Sequence, residues 1–170
     1  DNLIALWFGE PDTPTPDFIK QAAMLALYDD HVFYAQNRGI PQLRQALSTY
    51  VSALHQRPIG IDRLTVTGSG MNAIMLATQA LIDQGDNMVV VGPVWPNCRE
   101  TVHVMGGETR VISLHADESG RWSLDLDELL AACDDRTRGI FVNSPGNPTG
   151  WVMPRAQQEE LLIAARERGV

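Results

Sequence analysis

The chain has 170 residues, 44% of them hydrophobic and 20% charged, with a formal net charge of −8. That is enough for one domain with a real core, and too apolar for a disordered chain. The excess of acid excludes long-range attraction to nucleic acid or an anionic membrane surface, so a bound anion must be held by local donors.

No apolar run approaches the length that spans a bilayer, and no basic region followed by an apolar stretch reads as a signal peptide. Only two cysteines are present, Cys98 and Cys133, far apart in sequence and without a histidine pattern. That spacing gives neither a disulfide framework nor a metal site, and it favours a reducing, cytoplasmic setting with both cysteines in packing roles. The chain begins at Asp1 without Met and stops at Val170 just after a helix-like stretch. Both ends therefore read as cuts.

In chain order, residues 1–15 read as an extended, turn-rich lead, Leu6-Trp7-Phe8-Gly9-Glu10-Pro11 and then Thr13-Pro14-Thr15-Pro16. Thr15 suits the cap of a first helix and Pro16 its first position. Phe18, Ala22 and Ala26 share one face of it, as do Ile19, Ala23 and Leu27. A loop over residues 34–39 leads to a second helix opened by Pro41, with Leu43, Leu47, Tyr50 and Leu54 on one stripe. Residues 64–67 read as a strand that turns through Gly68-Ser69-Gly70 into a helix reaching about Gln84.

Further strands are expected at residues 88–91, 110–114 and 139–143, and helices at 96–104, 125–133 and 154–168. Short apolar strands alternating with helices define an α/β fold: a mainly parallel sheet sandwiched by helices, preceded by a helical and extended N-terminal arm. The division expected is residues 1–60 for the arm and its helices and 61–170 for the first part of a larger domain.

Ligands of parallel α/β sheets bind beyond the carboxyl ends of the strands, and three unusual segments fall at such ends. Gly68-Ser69-Gly70-Met71-Asn72 is a glycine-rich turn entering a helix. It reads either as a plain tight turn or as an anion site built from backbone N–H groups and the helix dipole. With Ala73 it also fits G-x-G-x-x-A, a dinucleotide pattern. That pattern needs an acid at the end of the next strand, where this chain has Val91-Gly92-Pro93; Asp86 lies at the strand's other end. Trp95 follows the same strand, and its indole can stack on a flat heteroaromatic ring or pack in a core. Asn143 to Gly150 holds two prolines and two glycines, either an ordinary Asn-Pro turn or a loop that fixes one side chain, with the Asn147 amide free to donate.

Together these residues resemble the class I/II aminotransferases, fold-type I enzymes that use pyridoxal 5'-phosphate (PLP). The resemblance runs from about Gly9 to Gly150. Its landmarks are Gly9-Glu10-Pro11-Asp12 with Thr15-Pro16; Tyr34 with Gly39-Ile40-Pro41 and Leu43-Arg44; Val66-Thr67-Gly68-Ser69-Gly70; Pro93-Val94-Trp95; and Asn147-Pro148-Thr149-Gly150.

The resemblance implies amino transfer between an amino acid and a 2-oxo acid. It implies that backbone amides of Ser69, Gly70 and Met71 hold the PLP phosphate, that Trp95 stacks on the ring and that Asn147 donates to its phenolic oxygen. Gly9 would lie beside the substrate carboxylate, and Tyr34 would reach the phosphate of the neighbouring subunit of a homodimer. Two positions depart from the pattern: Met71 and Asn72 add no cation or hydroxyl to the phosphate turn, and Val94 stands where many members have Tyr.

PLP chemistry needs a Schiff-base lysine. The one lysine here, Lys20, sits on the first expected helix and reads as a solvated surface residue. The resemblance puts the catalytic lysine beyond Val170, so no residue of this chain is assigned a catalytic role, and none a metal-binding one. Two rival readings share the fold: another fold-type I PLP enzyme such as a lyase, or an aminotransferase-like domain of a transcriptional regulator, which would need a basic winged-helix segment before Asp1.

Overall fold

The computed structural model describes residues 3–4 and 9–170, so Leu6, Trp7 and Phe8 of the lead lie outside the described residues. The chain divides into two compact units, one up to Val66 and one from Thr67 to Val170.

In the first unit, helix α1 (Asp17–Tyr28) starts one residue later than the sequence signals place it. Pro16, not Thr15, is the N-cap, and no side chain caps this end. The Pro16 carbonyl accepts from the Ile19 and Lys20 amides at 3.0 and 3.3 Å. Both expected apolar faces of α1 stay on the surface of the unit, with Phe18, Ile19 and Leu27 exposed. Lys20 is ion-paired with Asp17 at 3.1 Å on this surface.

Helix α2 (Pro41–Leu54) has proline at its first turn, where the missing N–H costs nothing. Its buried face is not the expected stripe. Leu43, Tyr50 and Leu54 are exposed, while Arg44 and Ser48 are buried. The chain after α2 passes back over this face and presents carbonyls that need donors. Arg44 donates to the Leu64 and Ile61 carbonyls at 3.1 and 2.6 Å, and the Ser48 hydroxyl donates to the Ile59 carbonyl at 2.6 Å. The Ser52 hydroxyl accepts from the Ile59 amide at 2.9 Å.

The strand expected at residues 64–67 is not formed. Leu64 is extended, but this segment pairs with no strand among the described residues. The Leu64 carbonyl is engaged by the side chains of Arg44 and Arg38 instead, and a turn of 3-10 helix (Ile61–Arg63) precedes it.

The second unit opens with helix α3 (Gly70–Leu81), which ends before the expected Gln84 because Ile82 turns extended and enters the core. Strand β1 (Asn87–Gly92) is buried along its whole length. Helix α4 (Asn97–Val104), strand β2 (Glu108–Ser113), helix α5 (Leu126–Ala131), strand β5 (Thr137–Phe141) and helix α6 (Arg155–Arg168) match the expected alternation. Between β2 and α5 lies an unexpected antiparallel hairpin, β3 (His115–Ala116) and β4 (Trp122–Ser123). Its strands are two residues each, too short for an alternation of period two to register in the sequence.

The sheet has the order β2-β1-β5 and is parallel throughout. Alternate residues of β1 feed two cores, as a strand covered on both faces requires. Val89 and Val91 pack with Leu126, Leu129, Trp151 and Met153, while Met88 and Val90 pack with Ile82, Cys98 and Val102. On the second face, α3 and α4 are joined by the buried hydroxyls of Thr78 and Thr101, 3.0 Å apart. No helix among the described residues is long and apolar enough to cross a membrane.

Candidate functional site

In a parallel sheet, the loops that follow adjacent strands emerge at one end. β1 and β5 are neighbours, so the segments after Gly92 and after Phe141 meet there. Their meeting is explicit: the Trp95 amide donates to the Asn147 carbonyl at 2.8 Å.

Each segment is fixed from its own side. The Trp95 carbonyl accepts from the Cys98 thiol at 3.3 Å. Burial pushes that thiol up from its ordinary range, which keeps it a protonated donor rather than a nucleophile. The Asn147 amide donates to the Asn143 side-chain oxygen at 2.7 Å. Gly146 bonds the Trp151 carbonyl at 2.8 Å, and the Gly150 amide bonds the Gly146 carbonyl at 2.7 Å. A side chain at Gly146 would meet the Thr149 hydroxyl at 2.7 Å and the Asn143 carbonyl at 3.3 Å, so a Cβ there would crowd this turn. The Ser144 hydroxyl accepts from the Met153 amide at 2.9 Å and closes the loop.

The Trp95 side chain is 41% exposed, leaving part of the indole uncovered. Asn147 is exposed, and among the described residues its side chain bonds nothing.

The glycine-rich turn ends in α3 with Ser69 as N-cap, its hydroxyl accepting from the Asn72 amide at 3.1 Å. That bond uses one of the helix's orphan donors. The Gly70 and Met71 amides have no acceptor among the described residues. Nothing lies within 4 Å of a Cβ placed on Gly68 or Gly70, so the turn has open space beside these two residues. α3 packs beside α4, whose first turn follows Trp95.

Tyr34 and Gly9 belong to the first unit. The Tyr34 ring is fully exposed there, and Gly9 has open space around it. Gly39 has φ +96° and would place a Cβ 2.6 Å from a Val66 methyl, so the landmark run from Tyr34 to Arg44 needs glycine on two counts.

Two groups that hold the site carried no role in the sequence reading. Cys98 looked like a packing residue, which it is, but it also fixes Trp95. Asn143 lay inside the recognised loop, yet its grip on Asn147 spans four residues and has no periodic signal. Asp86, at the start of β1 and away from these loops, pairs with Arg138 at 3.2 Å, so it does not supply the acid that a dinucleotide site would need.

The family model for aminotransferase class I and II matches residues 1–170. The chain is 35% identical over 166 residues to an aspartate/prephenate aminotransferase of Thermus thermophilus, covering 98% of this chain and 43% of that one. The crystal structure of an aspartate aminotransferase from Thermotoga maritima superposes with a TM-score of 0.91 at 31% identity, over 99% of this chain and 44% of that one. An alanine aminotransferase from Pyrococcus furiosus gives a TM-score of 0.87 at 30% identity, over 94% of this chain and 40% of that one. The fold and the match along the whole chain define a class I and II aminotransferase: the chain belongs to this family. It spans less than half the length of these relatives.

Proposed function

We propose that the protein transfers an amino group between an amino acid and a 2-oxo acid with pyridoxal 5'-phosphate, and that this chain supplies much of the cofactor's cradle. The observation that carries the reading is the bond joining Trp95 and Asn147 at the carboxyl end of two parallel strands, within a chain that matches the family along its length. The names of its relatives, which act on aspartate, prephenate or alanine, support the substrate class without choosing a member of it.

The residues present suit the cofactor. The Gly70 and Met71 amides, with Ser69, stand at the positive end of α3 and have no acceptor among the described residues. That arrangement holds a phosphate in spite of the acidic whole. Trp95 offers an indole face to the ring, and Asn147 a free amide for its phenolic oxygen. In the same reading Gly9 stands beside the substrate carboxylate. Tyr34 serves the phosphate site of a partner subunit, which makes the working unit a homodimer; its full exposure in the first unit accords with that role. In this reading the lysine that bonds the cofactor is not Lys20, which lies on the exposed surface of α1 beside Asp17. When bound, PLP supplies an electron-withdrawing ring for chemistry at the substrate α-carbon. The setting is cytoplasmic in this reading.

The test is an absorbance titration of the native-length protein with PLP, followed by addition of single amino acids and assay of the 2-oxo acids formed. Saturable binding followed by amino-acid-dependent loss of the bound-cofactor band is expected. A protein that binds NAD but not PLP would sink the reading.

A further inference from the structure

We infer that Asn143 is a positioning residue that sets where the Asn147 amide and the Trp95 indole sit relative to one another. The inference rests on the reading that these two side chains face the cofactor.

Asn143 lies two residues beyond the end of β5 and is half-buried, so its Cα is held by the sheet. Its side-chain oxygen accepts from the Asn147 amide at 2.7 Å. The carbonyl of the same Asn147 accepts from the Trp95 amide at 2.8 Å. One residue is thus gripped on its N–H by the strand β5 side and on its C=O by the β1 side. The path from Asn143 through Asn147 to Trp95 bridges the loops of two adjacent strands with two short hydrogen bonds.

The grip needs only an acceptor at position 143. An alanine there leaves the Asn147 amide without its partner and frees the peptide to rotate, which swings the side-chain amide and loosens the backbone bond to Trp95. A site 1 Å too loose loses function even with every contact residue present. Asn143 itself need touch neither cofactor nor substrate to act in this way.

The chemistry separates positioning from mere structural support. Asn147 donating to the phenolic oxygen favours the oxygen's anionic form. A displaced donor therefore raises the pH at which the bound cofactor's absorbance changes. Asn143→Asp keeps the acceptor; Asn143→Ala and the near-isosteric Asn143→Leu remove it.

The experiment uses the native-length protein loaded with PLP. It measures PLP dissociation, the pH midpoint of the bound-cofactor band, and thermal stability for the wild type and the three variants. The result expected for Ala and Leu is a midpoint raised by about 1 pH unit, a tenfold change in proton affinity, with PLP affinity weakened about tenfold. Asp should restore the affinity and the Trp95 environment seen by its fluorescence. Variants that melt earlier but keep the wild-type midpoint and affinity would overturn the inference and leave Asn143 structural.

Should Ala and Leu fail to fold, amide exchange in the folded wild type decides. A slow Asn147 amide supports the grip, and a fast one overturns it. A wild type that binds no PLP sinks the underlying function instead, and so the two failures are distinguishable.

Discussion

Asn147 and Trp95 reach the candidate site from neighbouring strands, and both are exposed there. If Asn147 donates to a charged cofactor oxygen, Asn147→Ala should weaken PLP binding by about 10- to 100-fold, the range for losing a hydrogen bond to an ionised group. Trp95→Ala removes a stacking face and should cost about 0.5–1.5 kcal/mol beyond the lost contact area. Fluorescence-detected PLP titration measures both. Gly39 is a different kind of residue, structural and intolerant. Gly39→Ala must place a Cβ at φ +96°, 2.6 Å from Val66, and should destabilise the first unit by about 1–3 kcal/mol in urea melts. The motif residues were legible because each carries a distinctive local chemistry, such as glycine before proline or Asn-Pro-Thr-Gly. Asn143 and Cys98 were not, because each acts through one bond to a backbone group three or four residues away, which no periodic pattern reports.

Helices and strands followed from periodicity wherever a face is apolar and packed. β1 was read correctly over residues 88–91, where both faces are buried and the residues are uniformly apolar. The leucine stripe of α2 misled for the opposite reason. The buried face is chosen by the carbonyls at residues 59–64, which recruit Arg44 and Ser48, and no hydrophobic pattern reports that. The strand expected at residues 64–67 failed because a strand is a pairing, and pairing is not a local property. Between α3 and α4, the buried hydroxyls of Thr78 and Thr101 lie 3.0 Å apart. α3 begins at the glycine-rich turn and α4 just beyond Trp95, so this link holds two parts of the candidate site in register. In a double-mutant cycle, Thr78→Val and Thr101→Val should show a coupling of about 0.5–1.5 kcal/mol in urea unfolding. Additive effects would show that the hydroxyls act separately.

At the scale of the second unit, Asp134 knits the amino-terminal end of the sheet. Its carboxylate accepts from Arg110 at 2.6 Å and from Asn87 at 2.8 Å, residues of β2 and β1. Thr137 of β5 donates its hydroxyl to the Asn87 side-chain oxygen at 2.8 Å. The Arg110 hydrogen bond first, and then that from Asn87, hold the Asp134 carboxyl well below the usual carboxylate range. A group whose folded pKa is depressed stabilises the fold above its unfolded pKa, about 3.9, and loses that contribution as the pH falls through the folded value. Asp134→Asn should therefore be less stable than wild type at neutral pH. The gap should narrow as the pH drops below about 4. Urea midpoints measured across that range check it, and a gap independent of pH would contradict it.

The fold class was visible in the alternation of short apolar strands and helices, because that pattern spans more than 100 residues. The arrangement of strands was not, and it is this arrangement that brings Trp95 to Asn147. The most direct test of the central claim is borohydride reduction of the native-length protein with PLP, followed by intact mass and peptide mapping. The account predicts one cofactor per chain, fixed to a single lysine outside these 170 residues. A stoichiometric adduct on Lys20, or no specific adduct at all, would contradict it.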